Sequence, residues 1–137
     1  MKVRLIPAAL ALMGCIALWA GEARGDAWHF IDPQISLGTL TRDQSAPVTF
    51  RIKNNTGKPI EIVSVDPSCR CTSLQEAPAA IPAHGIGLIK LNFSAARSDG
   101  AVTETVTVEA ADGSFLVGTF TAFVTEPPSA PPIPKRK

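Results

Sequence analysis

The chain contains no tyrosine, and its histidines, methionines and cysteines are few. Both methionines, Met1 and Met13, belong to the N-terminal segment, so His29 and His84 are the ligands that could add to the cysteines at a metal. A closed zinc site needs four ligands, and the sequence therefore argues against a structural zinc centre. It also lacks a Ser-His-Asp set, a glycine-rich phosphate loop and a His-Glu-x-x-His motif. We predict that the protein is not an enzyme.

An excess of basic residues is absent as well. The whole chain has 13 Lys and Arg against 12 Asp and Glu, and residues 26–126 have 7 against 11. A protein that binds nucleic acid usually presents a basic face. We therefore expect no nucleic-acid partner.

The first 25 residues have the three parts of a secretory signal peptide. Met1–Arg4 carries two positive charges, Leu5–Ala20 is apolar without a charge, and Gly21–Gly25 is short, small and polar. Ala23 and Gly25 fit the two positions that a signal peptidase recognises. We predict cleavage near Gly25, which makes the protein periplasmic or otherwise extracytoplasmic.

A lipid anchor is the alternative form of the N-terminus. Leu12–Cys15 resembles a lipobox, in which Cys15 would carry the lipid and become the first mature residue. The residues that follow, Ile16–Ala20, are apolar where a polar tether is usual, so we favour the signal peptide. On either route, Cys69 and Cys71 are the unmodified cysteines of the mature chain.

The C-terminal residues 127–137 differ in composition from the rest. Pro127–Pro134 reads PPSAPPIP, which favours extended polyproline II and lacks donors for a strand ladder. We predict a disordered, solvated tail, whose basic end, Lys135–Lys137, offers a contact to anionic lipid.

The segment between these termini has the pattern of a β-protein. No window shows apolar residues at helical spacing, whereas runs with period two recur between turn signals. The residues Ile62-Val63 change the phase of one run, which predicts either a bulge or full burial there. We predict an all-β, immunoglobulin-like antiparallel β-sandwich of about seven strands over residues 26–126. The runs are 35–40, 48–53, 59–65, 72–76, 86–94, 102–110 and 115–124, the last two joined by a tight turn at Asp112-Gly113.

Several short motifs carry a resemblance to a known family. These motifs are Leu37–Leu40, Phe50–Asn54 with Thr56-Gly57, Pro59–Ile62, Cys69–Thr72, and Ile81-Pro82 before Gly85. Together they resemble the bacterial domain of unknown function 1573, and the resemblance extends over nearly the whole predicted domain. That family is similar in architecture to the ASH and major-sperm-protein sandwiches. The resemblance implies an immunoglobulin-like fold and binding or scaffolding rather than catalysis.

The chain departs from the family pattern at two turns. Arg70 stands where the family motif Cys-Gly-Cys-Thr has glycine, and Ala83-His84-Gly85 replaces a Pro-Gly turn. If the family's glycine has a positive φ, Arg70 must adopt a strained backbone or the turn must differ.

Cys69 and Cys71 are the candidate functional residues. In an extended strand, residues two apart have Cα atoms about 6.6 Å apart, whereas a disulfide needs Cβ atoms about 3.8 Å apart. The pair can therefore bridge only if the chain curls at Arg70, and Pro67-Ser68 favours such a bend. We favour a local disulfide, or two half-buried thiols that fix the end of a strand.

Two other uses of the pair remain open. Soft thiolates in an extracytoplasmic domain favour Cu(I), with Cys69 and Cys71 as ligands and His84 as a further one. The same two cysteines could also exchange disulfides with another thiol. We therefore predict no cofactor, with copper as the alternative. The predicted function is that of an exported interaction or scaffolding module with an unknown protein partner in the cell envelope, and the alternative is a Cu(I) or thiol-redox carrier.

Overall fold

The computed structural model describes residues 26–129, and the fold lies within them. The predicted signal peptide, residues 1–25, and the tail from residue 130 onward lie outside the described residues. Nine strands and one turn of 3-10 helix, Ala95–Arg97, are present in the described part. The strands are β1 (Trp28–Phe30), β2 (Gln34–Thr41), β3 (Ser45–Asn54), β4 (Ile60–Pro67), β5 (Thr72–Glu76), β6 (Ala80–Ile81), β7 (Ile86–Ser94), β8 (Gly100–Ala110) and β9 (Phe115–Thr125).

The strands form two sheets that enclose one apolar core. The first sheet has the order β1-β3-β7-β5, and the second has the order β2-β9-β8-β4-β6. The all-β, immunoglobulin-like sandwich predicted from the sequence is confirmed. Neighbouring strands are antiparallel, except that β2 runs parallel to β9 at one edge of the second sheet. Periodicity does not report the direction of a strand's neighbour, so the alternating pattern could not predict this parallel pair.

The two shortest strands account for the difference from the expected count of about seven. β1 has three residues and pairs with the end of β3, and β6 has two residues and pairs with the start of β4. A run of two or three residues cannot show alternation. By contrast, β5 and β7 begin and end at the predicted residues. Of the bulge and the full burial expected at Ile62-Val63, the bulge is confirmed, since the register of β4 against β8 shifts between Ile62 and Ser64, whereas Val63 is 58% exposed.

The hairpin between β8 and β9 turns at Asp112-Gly113, as predicted. The Asp112 carboxylate accepts hydrogen bonds from the hydroxyl of Ser114 at 2.6 Å and from its amide at 2.9 Å. Both bonds lower the pKa of the Asp112 carboxyl below its ordinary value, and the bond from the hydroxyl has the larger effect. Gly113 has φ 84°, a conformation that a residue without a Cβ adopts at little cost.

Aromatic side chains from both sheets fill the core. Phe50, Phe93 and Phe120 have no exposed surface. The ring centroids of Phe30 and Phe50 lie 5.1 Å apart, and those of Phe93 and Phe120 lie 5.5 Å apart in an edge-on contact. Phe50 and Phe93 therefore lie on the inward faces of β3 and β7. Among residues 26–129, no helix is long or apolar enough to cross a membrane.

Candidate functional site

The two cysteines lie on the turn that carries the chain from one sheet to the other. Residues 68–71 connect β4 of the second sheet to β5 of the first. Both ends of this turn are tied to neighbouring strands: the amide of Ser68 donates to the Thr105 carbonyl at 2.8 Å, and the amide of Ser94 donates to the Cys71 carbonyl at 2.8 Å. The cysteine pair is therefore held between β8 and the end of β7.

The turn brings the two sulfurs to disulfide distance. The Sγ atoms of Cys69 and Cys71 lie 2.13 Å apart, and their Cα atoms lie 5.1 Å apart, shorter than the roughly 6.6 Å of an extended strand. The chain therefore curls at Arg70, as a local bridge requires. The amide of Cys71 also donates to Cys69 Sγ at 3.0 Å. Both cysteines are partly buried, whereas Arg70 is exposed.

Arg70 forms this turn without a left-handed backbone. In the described part of the chain, the one residue other than glycine with a positive φ is His84. The glycine of the family motif is therefore not needed here for its conformational freedom.

A carboxylate that the sequence analysis did not select completes the surroundings of the cysteines. Glu104 of β8 is partly buried, and one of its carboxylate oxygens and the sulfurs of Cys69 and Cys71 all lie within 4.8 Å of one another. The hydroxyl of Ser68 donates to the Glu104 carboxylate and accepts from the amide of Thr105 at 3.0 Å. The turn itself thus fixes the position of the carboxylate.

The structure does not bring His84 to the cysteines. His84 precedes the start of β7 at Ile86, whereas Cys71 is bonded to Ser94 at the other end of that strand. Nine strand residues span roughly 30 Å. The copper ligand set of Cys69, Cys71 and His84 is therefore not assembled, because the intervening strand separates its members.

Both histidines have local roles in the fold. His84 has φ 55°, and its amide donates to the Thr56 carbonyl at 3.0 Å, as expected of a turn residue. His29 lies within β1, and its Nδ1 is 3.1 Å from Nδ2 of Asn55.

A second feature lies beside the cysteine turn, at the edge of the sandwich. β6 pairs with Ile60 and Glu61 of β4, and from Val63 onward β4 is paired on its β8 side alone within the described residues. Between this edge and β5 there is a hollow of about 300 Å³. Val63 and Leu74 line it and are 58% and 43% exposed. The two open sides of β4 and β5 thus form an apolar groove, which we call the β4 groove; it is lined by residues 62–65, Leu74 and residues 77–79.

The sequence carries a signal for Glu104, although Glu104 belongs to no recognisable motif. Val102, Val106, Val108 and Ala110 of β8 face the core side of the sheet, and Glu104 is in phase with them. An acidic residue in the apolar phase of a strand needs a partner, because burying a charge without one is costly. The β4 groove had no such signal, since it depends on where β6 ends.

The comparison with protein families gives the class of this chain. Residues 28–117 match the model of a family described as "Protein of unknown function (DUF1573)". The match covers more than half of the sequence, and the chain therefore belongs to this family, as the motifs indicated. No curated protein sequence matches the chain.

Solved structures that resemble this chain share its fold at low identity. A crystal structure of a protein of unknown function from Porphyromonas gingivalis W83 has a TM-score of 0.61 at 13% identity, covering 71% of this chain and 46% of that one. The ASH/PapD-like domain 7 of human CEP192 has a TM-score of 0.59 at 12% identity, covering 74% of this chain and 87% of the domain.

Enzymes also occur among the similar structures. The VesB protease of Vibrio cholerae has a TM-score of 0.56 at 9% identity, covering 72% of this chain and 32% of the protease. This chain therefore spans less than half of the P. gingivalis structure and about a third of VesB. At these identities the likeness concerns the fold alone.

Proposed function

We propose that the protein is a non-enzymatic interaction module, exported to the bacterial cell envelope, that binds an extended segment of a partner protein in the β4 groove. The observation that carries this proposal is the open edge of β4 from Val63 onward. Backbone N–H and C=O groups on a strand edge pair readily with an added strand, and side-chain pockets beside the edge supply specificity.

The side chains around the β4 groove define the kind of segment that fits. Val63 and Leu74 expose aliphatic surface on its two sides. Glu61 and Asp66, also on β4, are exposed and have no salt-bridge partner among the described residues. A segment with aliphatic side chains at alternate positions and a basic residue at its flank matches both features.

The arrangement of the polar side chains in the described part of the chain fits binding better than catalysis. Among residues 26–129, neither histidine is near the cysteine turn or the β4 groove, and the carboxylate beside the cysteines is hydrogen-bonded to a serine of the turn.

Site-specific photocrosslinking in the native envelope tests the proposal. A photoreactive residue at Val63 or Leu74 should crosslink to one envelope protein, and mass spectrometry should locate the crosslink in an extended segment. Phe123 is 51% exposed on β9 and pairs with Ala101, at the far end of β8 from the β4 groove, so the same residue at position 123 is the matched control.

A peptide of the identified segment should then bind the purified protein. Val63→Lys should abolish this binding, because it places a charge on the edge, whereas Phe123→Lys should leave it unchanged. Crosslinks that come from position 123 and not from positions 63 and 74 would contradict the proposal.

A further inference from the structure

Glu104 is a charged side chain at a position built for an apolar one. It shares the inward phase of β8 with Val106 and Val108, both fully buried. Within the described residues it has no salt-bridge partner, and its carboxylate is bonded to the hydroxyl of Ser68. One hydroxyl is a weak compensation for a partly buried charge, so the carboxylate has capacity for a cationic partner.

The groups nearest this carboxylate are the two sulfurs. An oxygen of Glu104 and the Sγ atoms of Cys69 and Cys71 lie within 4.8 Å of one another, and all three side chains are partly buried. Such a triad can surround a cation with bonds of about 2.3 Å to sulfur and 2.0–2.2 Å to oxygen. The Ser68 hydroxyl already orients the carboxylate, as outer hydrogen bonds do at metal sites.

We infer that Cys69, Cys71 and Glu104 form a redox-gated zinc site. In the oxidised form the two sulfurs are bonded to each other and cannot bind the ion. A dithiol reductant transfers two electrons and two protons to the Cys69–Cys71 bond, which breaks to give two thiols while the dithiol becomes a disulfide. Zn²⁺ then displaces the two thiol protons and is bound by two thiolates and the Glu104 carboxylate.

The third ligand selects the metal. Cu(I) prefers soft sulfur ligands, whereas Zn²⁺ accepts thiolate and carboxylate together. Three protein ligands leave a fourth tetrahedral position for water. A site with Glu104 in place of His84 therefore favours zinc over copper. The zinc site is independent of the β4 groove, because none of its ligands, Cys69, Cys71 and Glu104, lines that groove.

Zinc titration of the oxidised and the reduced protein tests the inference. The protein is first reduced with a phosphine, and the phosphine is then removed under anaerobic conditions. The reduced protein is titrated with Zn²⁺ against a chromophoric chelator. The reduced protein should bind one equivalent and the oxidised protein none. Co²⁺ in place of Zn²⁺ should give a thiolate-to-cobalt charge-transfer band in the reduced protein.

Three variants assign the ligands. Glu104→Gln keeps the shape of the side chain and should weaken zinc binding at least about tenfold, since even outer partners of a metal site contribute that much. Glu109→Gln, an exposed carboxylate on the same strand, and His84→Ala should bind zinc as the wild type does. Unchanged affinity in Glu104→Gln would overturn the inference. So would equal zinc binding by the oxidised protein, or retention of Cu(I) without retention of Zn²⁺.

Discussion

Gly118 of β9 packs directly against the ring of Phe50 in the opposite sheet. A Cβ at this position would come within 2.7 Å of Phe50 Cε1 and 3.2 Å of Phe30 Cε2. Real Cβ atoms essentially never lie within 3.0 Å of such an atom. The missing side chain thus creates the space in which the Phe30 and Phe50 rings lie between the sheets.

We expect Gly118→Ala to destabilise the fold by about 1–3 kcal/mol, because the added methyl overpacks a core of rigid rings. Chemical denaturation measures the change. Gly57→Ala is the matched control: its Cβ would lie 3.9 Å from His84 Nε2, which is ordinary contact, and its effect should be neutral or stabilising by up to about 1 kcal/mol. If the Gly118→Ala protein were as stable as the wild type, the Phe50 ring could not lie as close to Gly118 as described.

A second prediction concerns Asn54, which is fully buried at the end of β3. Its Nδ2 donates to the carbonyls of Lys58 at 2.7 Å, Ile81 at 3.1 Å and Pro82 at 3.1 Å. Its Oδ1 accepts from the amide of Thr56 at 2.8 Å and from its hydroxyl at 2.7 Å. One side chain therefore joins the turn after β3 to the segment that carries β6.

Asn54→Ala should destabilise the protein by roughly 2 kcal/mol or more, since one buried and three partly buried backbone groups lose their partner at once. Asn55→Ala is the control, because Asn55 is exposed and its side-chain Nδ2 donates to the Asp26 carbonyl at 3.0 Å. The effect of Asn55→Ala should stay below about 1 kcal/mol. Urea unfolding measures the free energy of unfolding of both variants. If Asn54→Ala and Asn55→Ala lost the same amount, the special role of Asn54 would be refuted.

Thr72 provides a prediction of the opposite sign. It follows Cys71 at the start of β5, is 5% exposed, and its hydroxyl has no hydrogen-bond partner among the described residues. Thr72→Val removes a buried unsatisfied hydroxyl at constant shape, so stability should be unchanged or higher by up to about 2 kcal/mol. Thr56→Val is the counterpart that should lose stability, because the Thr56 hydroxyl bonds Asn54 and the Lys58 carbonyl. A marked loss in Thr72→Val would reveal a partner for this hydroxyl.

Local patterns were sufficient to predict most of the fold. Alternation located β7 between Ile86 and Ser94, because every second residue there is buried. The Asp112-Gly113 turn was predictable from the preference of these residues for tight turns. The parallel β2–β9 pair was not, because no property of β2 alone specifies which strand lies beside it.

The candidate site could be predicted only in part, because local patterns do not specify which strands lie beside each other. The spacing of Cys69 and Cys71 indicated a local pair, and a bend was required to join them. The presence of Glu104 beside this pair depends on the register of β8 against β4. That register brings β8 next to the turn, where Ser68 is hydrogen-bonded to Glu104 and to Thr105. His84 was selected by residue type alone, and β7 separates it from the cysteines.

The predicted signal peptide leads to a prediction about the N-terminus. Mature protein from the native host should begin close to Asp26, because Ala23 and Gly25 fit the signal-peptidase positions. Intact mass and N-terminal sequencing measure this directly. A Cys15→Ser substitution should leave export unchanged; a lipid-modified N-terminus at Cys15 would contradict the prediction.

The last prediction concerns the cysteine pair itself. The two residues are separated by two positions in sequence, so a bond between them restricts the unfolded chain very little. We expect reduction in the presence of a metal chelator to change stability by about 1 kcal/mol or less, and to lower Tm by no more than about 5 °C. The double variant Cys69→Ser, Cys71→Ser should melt at the temperature of the reduced protein.

Native, non-reduced protein should show no reactive thiol in a thiol titration, because both sulfurs are bonded to each other. Two rapidly labelled cysteines in that sample would exclude the disulfide, and a large fall in Tm on reduction would mean that the bond also stabilises the folded turn.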